Sequence, residues 1–172
     1  MNEMNDNGRV LFIVHDLYQE DNHFPLGVAY MAAMLKREGV DVDVCCQDIF
    51  HYTNEELVER FLRDHDYNLI GVGFLAARFN ETVLGLCDTL NKYKKDAWLV
   101  LGGHGPSPIP EFVIEKTDSD IVVIGEAEEI IIDLLKCKIE NGDPSKVNGI
   151  AYRDNDEIIV NQRRKAIVKP DS

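Results

Sequence analysis

The sequence predicts an α/β protein organised as a doubly wound, five-stranded parallel sheet with a C-terminal β-hairpin extension. Two observations carry this expectation. Short apolar runs of strand length alternate, five times, with segments whose apolar residues recur at helical spacing. The residues of unusual type follow the first, third, fourth and fifth runs, so they converge on one sheet edge, where such sheets bind their ligands.

Each element has a local reason. Arg9-Val-Leu-Phe-Ile-Val14 is nearly continuous in apolar character, as a strand buried on both faces requires. A polar loop, His15 to Phe24, leads to Pro25, which opens a helix where its missing N–H costs nothing. Leu26, Ala29, Tyr30, Ala33 and Met34 form its apolar face and Gly39 ends it. Val40 to Cys46 alternates apolar with charged residues and reads as a second strand with a wetter face. Thr53 or Asn54, with Glu56 close behind, caps a helix bearing Leu57, Val58, Phe61, Leu62 and His65 on one side. Leu69-Ile-Gly-Val-Gly-Phe74 is the third strand, whose glycines admit a close approach to the backbone. Asn80 caps a helix with Val83, Leu86, Cys87 and Leu90 inward.

Ala97 to Leu101 is the fourth strand. Gly102-Gly-His-Gly-Pro-Ser-Pro-Ile-Pro110 follows, then a short helix to about Lys116. Asp120 to Ile124 is the fifth strand, and Gly125-Glu-Ala-Glu-Glu129 enters a helix through Ile131, Leu134 and Leu135 that breaks at Asn141-Gly-Asp-Pro144. Gly149 to Arg153 and Glu157 to Val160 flank Asp154-Asn155-Asp156 and predict the hairpin. The expected strand order is 2-1-3-4-5, flavodoxin-like or Rossmann-like, with right-handed crossovers. Residues 9–140 form the predicted sheet domain, and residues 147–168 the hairpin and the start of a linker.

Composition narrows the function. The 172 residues carry a net charge of -13, the wrong sign for a surface that must neutralise phosphates, so no nucleic-acid partner is expected. No apolar stretch approaches the roughly 20 residues that span a bilayer, and Met1 to Gly8 is polar and acidic, unlike a secretory signal. A cytoplasmic protein without a membrane partner is expected. Cys45, Cys46, Cys87 and Cys137 make no C-x-x-C pair or zinc pattern and read as reduced thiols.

The familiar chemistries of this architecture are missing. A dinucleotide site needs G-x-G-x-x-G after the first strand, but His15 to Asn22 holds no glycine, and it lacks the Ser/Thr/Gly-rich phosphate loop of a flavodoxin as well. A phosphoryl-accepting receiver domain needs an aspartate after the third strand, where this chain has Phe74-Leu-Ala-Ala-Arg78. No Ser/Cys–His–Asp set is apparent, so no catalytic residue is assigned. His15, His23 and His104 are scattered on loops, and no metal site is assigned to them. The remaining edge is glycine-bearing and largely apolar, suited to a bulky ligand recognised by shape and backbone contacts. A corrinoid fits that description.

Four stretches carry a family resemblance: Pro25-Leu-Gly-Val-Ala-Tyr-Met-Ala-Ala33, Leu101-Gly-Gly-His-Gly-Pro-Ser-Pro-Ile-Pro-Glu111, Asp120-Ile-Val-Val-Ile-Gly-Glu-Ala-Glu128 and Val147-Asn-Gly-Ile-Ala-Tyr-Arg153. In this order and spacing the chain resembles the N-terminal cobalamin-binding domain of radical-SAM enzymes of the anaerobic magnesium-protoporphyrin IX monomethyl ester cyclase-like class. The resemblance implies a domain that presents cobalamin to a radical-SAM domain of the same parent chain. That second domain would hold S-adenosylmethionine and a [4Fe-4S] cluster on Cys-x-x-x-Cys-x-x-Cys, a motif this sequence lacks. The chain ends at Lys169-Pro-Asp-Ser172, about where a linker is expected, and on its own it would be catalytically silent. The alternative is a stand-alone flavodoxin-like binding or regulatory domain with another ligand.

The resemblance also implies contacts. Gly102 and Gly103 would let a cobalamin tail slide against the backbone, with His104 and Gly105 beside them. In the family pattern a histidine more often follows one residue after the position of His104. Phe74, Leu75, Ala76 and Phe79 would flank the tail or corrin, as would Leu17, Tyr18, Pro25, Leu26 and Gly27 from the first loop. Gly125, Glu126 and Ala127 would meet it at the start of the last helix. Many cobalamin domains place a cobalt-ligating histidine in D-x-H-x-x-G. Asp21-Asn-His-Phe-Pro-Leu-Gly27 has its glycine one residue late, and Pro25 holds Phe24 extended. Two readings follow: either His23 reaches cobalt with Asp21 orienting its imidazole, or the match is chance and Pro25-Leu-Gly27 simply opens the helix. The second is the expectation: base-off cobalamin without His23 on the metal, and with Leu17, Tyr18 or a water beneath it.

Overall fold

A computed structural model describes residues 7–17, 25–75 and 80–164. The sheet has seven strands in the order β2-β1-β3-β4-β5-β6-β7. Strands β1 (Arg9–Val14), β2 (Asp41–Cys46), β3 (Leu69–Gly73), β4 (Trp98–Gly102) and β5 (Ile121–Val123) are parallel and follow the expected order. The expected hairpin, β6 (Ile150–Asp154) and β7 (Glu157–Val160), adds antiparallel to β5 and makes the five-stranded sheet a seven-stranded one.

Helices cover both faces. α1 (Leu26–Arg37) and α6 (Glu128–Ile139) lie on one face, over Val10, Phe12, Leu69, Val100 and Val123. On the other face the segment from α3 (Asn54–Leu57), α4 (Glu81–Tyr93) and α5 (Pro110–Thr117) pack over Leu11, Ile13, Ile70, Val72 and Leu101. Each strand splits its residues between the two cores with a period of two, as the pleat demands.

The caps follow the expected chemistry with small shifts. Thr53 forms a capping box with Glu56, and the Asn80 side chain accepts the amides of Thr82 and Val83. Pro25 sits one residue before the helix, at its N-cap. The short helix α2 (Gln47–Phe50) and a π-helical turn at Val58–Leu62 that continues α3 were not anticipated. α1 turns Ala32 and Leu35 inward, with Val28 and Met31 beside them, where Leu26, Tyr30 and Ala33 were expected but are exposed. At the bottom of the sheet Asp43 accepts two hydrogen bonds from Arg9, at 3.0 and 2.7 Å, and one from the Tyr67 hydroxyl at 2.9 Å. These bonds tie β1 and β2 to the segment that enters β3.

All four cysteines are free and buried. Burial pushes the Cys45 thiol, and likewise the Cys87 thiol, from an ordinary 9.0 up to about 12, with smaller upward contributions from neighbouring Cys46 and Asp88 respectively. The unfolded chain therefore ionises these thiols first as pH rises. Stability is complete below about pH 9 and declines from there to about 12, by up to about 1.4 kcal/mol per pH unit per thiol. Urea melts between about pH 9 and 11 should show this slope, and Cys87→Ala should reduce it, leaving the share that Cys45 carries. An unchanged slope in that variant would show that the thiol does not carry the effect.

Candidate functional site

The site arises from the pleat. Leu69 belongs to the core under α1 and α6, and Ile70 to the opposite core. Alternation then places Gly71 and Gly73 on the α1/α6 face. Gly73 pairs with Gly102 across the ladder, so two bare positions lie side by side at the strand ends. A Cβ on Gly73 would come no nearer than 3.7 Å to the Gly102 carbonyl, and one on Gly102 would lie 3.8 Å from Val123 Cβ. Gly27, in the first turn of α1, and Gly125, before α6, face open space. Glycines from four segments thus leave a cavity of about 570 Å³ between the sheet and the two helices. Phe12, Val28, Met31, Val100, Val123 and Ile131 supply its apolar walls, and Ala127 its lip.

The two glycine turns are shaped by their backbone. Gly103 and Gly125 both have φ of +96°, where a side chain is strained. Ser107 ties the turns together. Its hydroxyl lies 2.8 Å from the Gly103 carbonyl and 3.2 Å from that of Val123, and it accepts the Gly125 amide at 3.2 Å. His104 and Glu126 are exposed at the rim, with Glu128 half-buried beside them.

A second hollow, of about 380 Å³, adjoins the first and shares Gly27, Val28, Gly73, Gly103 and His104 with it. Ile13, Val14, His15, Leu17, Pro25, Phe74 and Leu75 complete it. Its first loop is pinned from below. The Asp48 carboxylate accepts the Leu17 amide at 2.8 Å, and Asp16 lies 2.7 Å from His51 Nδ1. Both aspartates are buried, and sequence reasoning gave neither a role.

The structure thus gathers Leu17, Pro25, Gly27, Phe74, Leu75, Gly102, Gly103, His104, Gly125, Glu126 and Ala127 around two adjoining hollows. Gly105 is placed differently: it is buried against Phe74, where a Cβ would meet the Phe74 ring and carbonyl at 2.8 Å. Leu26 is 74% exposed and lines neither hollow. Tyr18, His23, Ala76 and Phe79 lie outside the described residues. Met31, Gly73, Ser107 and Ile131 were missed as site residues. The G-V-G of β3 was the available signal for Gly73, whereas Ser107 needed the fold.

A family model for the B12 binding domain matches residues 18–135, well over half of the chain. The chain belongs to the B12 binding domain family. This B12-binding domain is 26% identical over 151 residues to the cytidylyl-2-hydroxyethylphosphonate methyltransferase of Streptomyces wedmorensis, an alignment covering 77% of this chain and 28% of that one. Its fold matches that of the radical S-adenosylmethionine methyltransferase TsrM from Kitasatospora setae, solved with cobalamin and a [4Fe-4S] cluster bound. The TM-score is 0.80 at 18% identity, over 94% of this chain and 30% of TsrM. The cobalamin-dependent S-adenosylmethionine radical enzyme OxsB, solved with aqua-cobalamin and S-adenosylmethionine, gives 0.78 at 18% identity, over 92% and 22%. The domain therefore spans less than a third of the length of each of these proteins.

Among the described residues no helix is long and apolar enough to cross a membrane, and no group of three or more His, Cys, Asp or Glu is placed to hold a metal ion.

Proposed function

We propose that this domain binds base-off cobalamin, with the nucleotide tail in the larger cavity and the corrin over the smaller hollow, and presents it to a radical-SAM domain of the same parent chain. The observation that carries this reading is the cradle itself. Gly27, Gly73, Gly102 and Gly125 are open where a side chain would fill it, and the walls are apolar. Such a cavity recognises a bulky apolar group by shape.

In this reading Gly102 and Gly103 carry the tail past the sheet edge, and Phe74, Leu75, Pro25 and Leu17 support the corrin. Ser107 holds the Gly103 and Gly125 turns at a fixed separation. Asp48 does the same for Leu17. When bound, the cofactor supplies the methyl-transfer or radical chemistry. The domain's own side chains bind and orient it and exclude water, which makes the isolated domain non-catalytic. S-adenosylmethionine and the [4Fe-4S] cluster belong to the radical-SAM partner, in a cytoplasmic enzyme acting on neither nucleic acid nor membrane. Residues 9–140 are the binding unit, and residues 147–168 lead toward that partner.

The test is a titration with hydroxocobalamin. The domain should shift its visible spectrum and co-elute with it on gel filtration. The reduced Co(II) complex should show no nitrogen splitting of the cobalt lines in electron paramagnetic resonance. Absence of any corrinoid binding would sink the reading, and nitrogen splitting would overturn its claim of a histidine-free cobalt.

A further inference from the structure

We infer that the larger cavity selects among corrinoids by the base that ends their nucleotide tail, accepting a benzimidazole and rejecting a purine. The inference rests on the cofactor reading above and concerns a distinction that the family assignment does not make.

The described lining is polar only at its rim. The floor and walls are the side chains of Phe12, Met31, Val100, Val123 and Ile131. The bare backbone of β3 offers little more. Gly71 lies in a strand flanked on both sides, paired with Phe12 of β1 and Val100 of β4, and Gly73 is paired with Gly102. Their amides and carbonyls point along the sheet, into the ladder and away from the cavity. Ser107 brings the hydroxyl of the lining, and that hydroxyl is already engaged by three backbone groups. His104 and Glu126 are exposed to solvent at the mouth, with Glu128 behind them.

A base entering the walls meets carbon. Dimethylbenzimidazole leaves one ring nitrogen without a partner there, and its methyl groups gain from burial. Adenine brings an exocyclic amine and several ring nitrogens, all hydrogen-bonded in water. Polar groups left unpaired on burial weaken binding steeply, and a site discriminates hardest through such unpaired groups. Size cannot produce this preference, because about 570 Å³ admits either base.

The experiment compares three ligands on the same protein: hydroxocobalamin, the corrinoid with adenine in place of dimethylbenzimidazole, and tail-less cobinamide. Affinities are read by absorbance titration and calorimetry. Cobalamin should bind at least about tenfold more tightly than the adenine form, and the adenine form should bind no better than cobinamide. Met31→Gln, which puts an amide on the wall at nearly the same volume, should narrow the gap between the two tailed forms. Equal affinity for both tailed forms would overturn the inference, as would an unchanged gap in Met31→Gln. Failure of all three ligands to bind would instead count against the cofactor reading itself.

Discussion

Gly102→Val should weaken cobalamin binding by at least about 100-fold, equivalent to about 2.7 kcal/mol, while leaving the fold intact. The added Cβ would sit 3.8 Å from Val123 Cβ, an ordinary contact, and its methyl groups would project into the cavity where the tail is proposed to lie. Valine suits a strand, so β4 should tolerate it or gain slightly from the extra apolar contact. Gly73→Val is an independent probe of the same space, since its Cβ would meet the Gly102 carbonyl only at 3.7 Å. Gly103 is a poorer probe: its φ is +96° and a Cβ would press on the Phe74 carbonyl at 3.1 Å, disturbing the turn whether or not a ligand binds there. Titration of both valine variants, with thermal melts as the control for folding, decides the matter. Wild-type affinity in either would place the tail elsewhere.

Phe12→Ala should produce the opposite pattern, a large loss of stability with cobalamin binding weakened by the lost wall contact but not abolished. Phe12 lies in β1 in register with Val44 of β2 and Gly71 of β3, and it is 3% exposed. Its ring occupies the space above Gly71, where a Cβ would stand 2.8 Å from the ring edge. Truncation removes that ring from the core shared with Leu35, Leu69 and Leu134 and should cost about 3–5 kcal/mol. For a chain of this size each kcal/mol lowers Tm by about 2–4 °C. The cavity would deepen without being blocked, so cobalamin should still bind and should itself raise the melting temperature. A variant that melts like the wild type would show that the ring is not part of the packed core.

Much of the fold was legible because it depends on local chemistry. The apolar run of β1, the Asn80 cap and the Asp154-Asn155-Asp156 turn each act within a few residues, and each is found within a residue or two of its expected place. The π-helical turn at Val58–Leu62 was not legible. Leu57, Val58 and Leu62 repeat as an α-helix would, and the local departure leaves Leu57, Val58 and Leu62 all buried against the sheet. The short α2 was missed for a related reason. Gln47 and Asp48 look like loop residues, but both are buried, Gln47 on the Tyr52 carbonyl and Asp48 on the Leu17 amide.

The candidate site divides along the same line. The sequence by itself determined that glycine turns follow the fourth and fifth strands and that all the unusual loops meet at one sheet edge, because strand order and the period of the pleat follow from pattern. It also pointed to burial of Cys87 and Cys137, since both fall at apolar helix positions, and both are buried. Only the tertiary structure decided which glycines make space. Gly105 and Gly102 look equivalent in the chain, yet Gly105 is filled by Phe74 from β3's exit and Gly102 opens on the cavity. It also decided that Met31 and Ile131, from helices about 100 residues apart, line the same cavity, and that Ser107 binds turns belonging to two strands. Such facts depend on what the neighbouring segments place at each position, and the identity of a residue carries no record of which distant side chain stands opposite it.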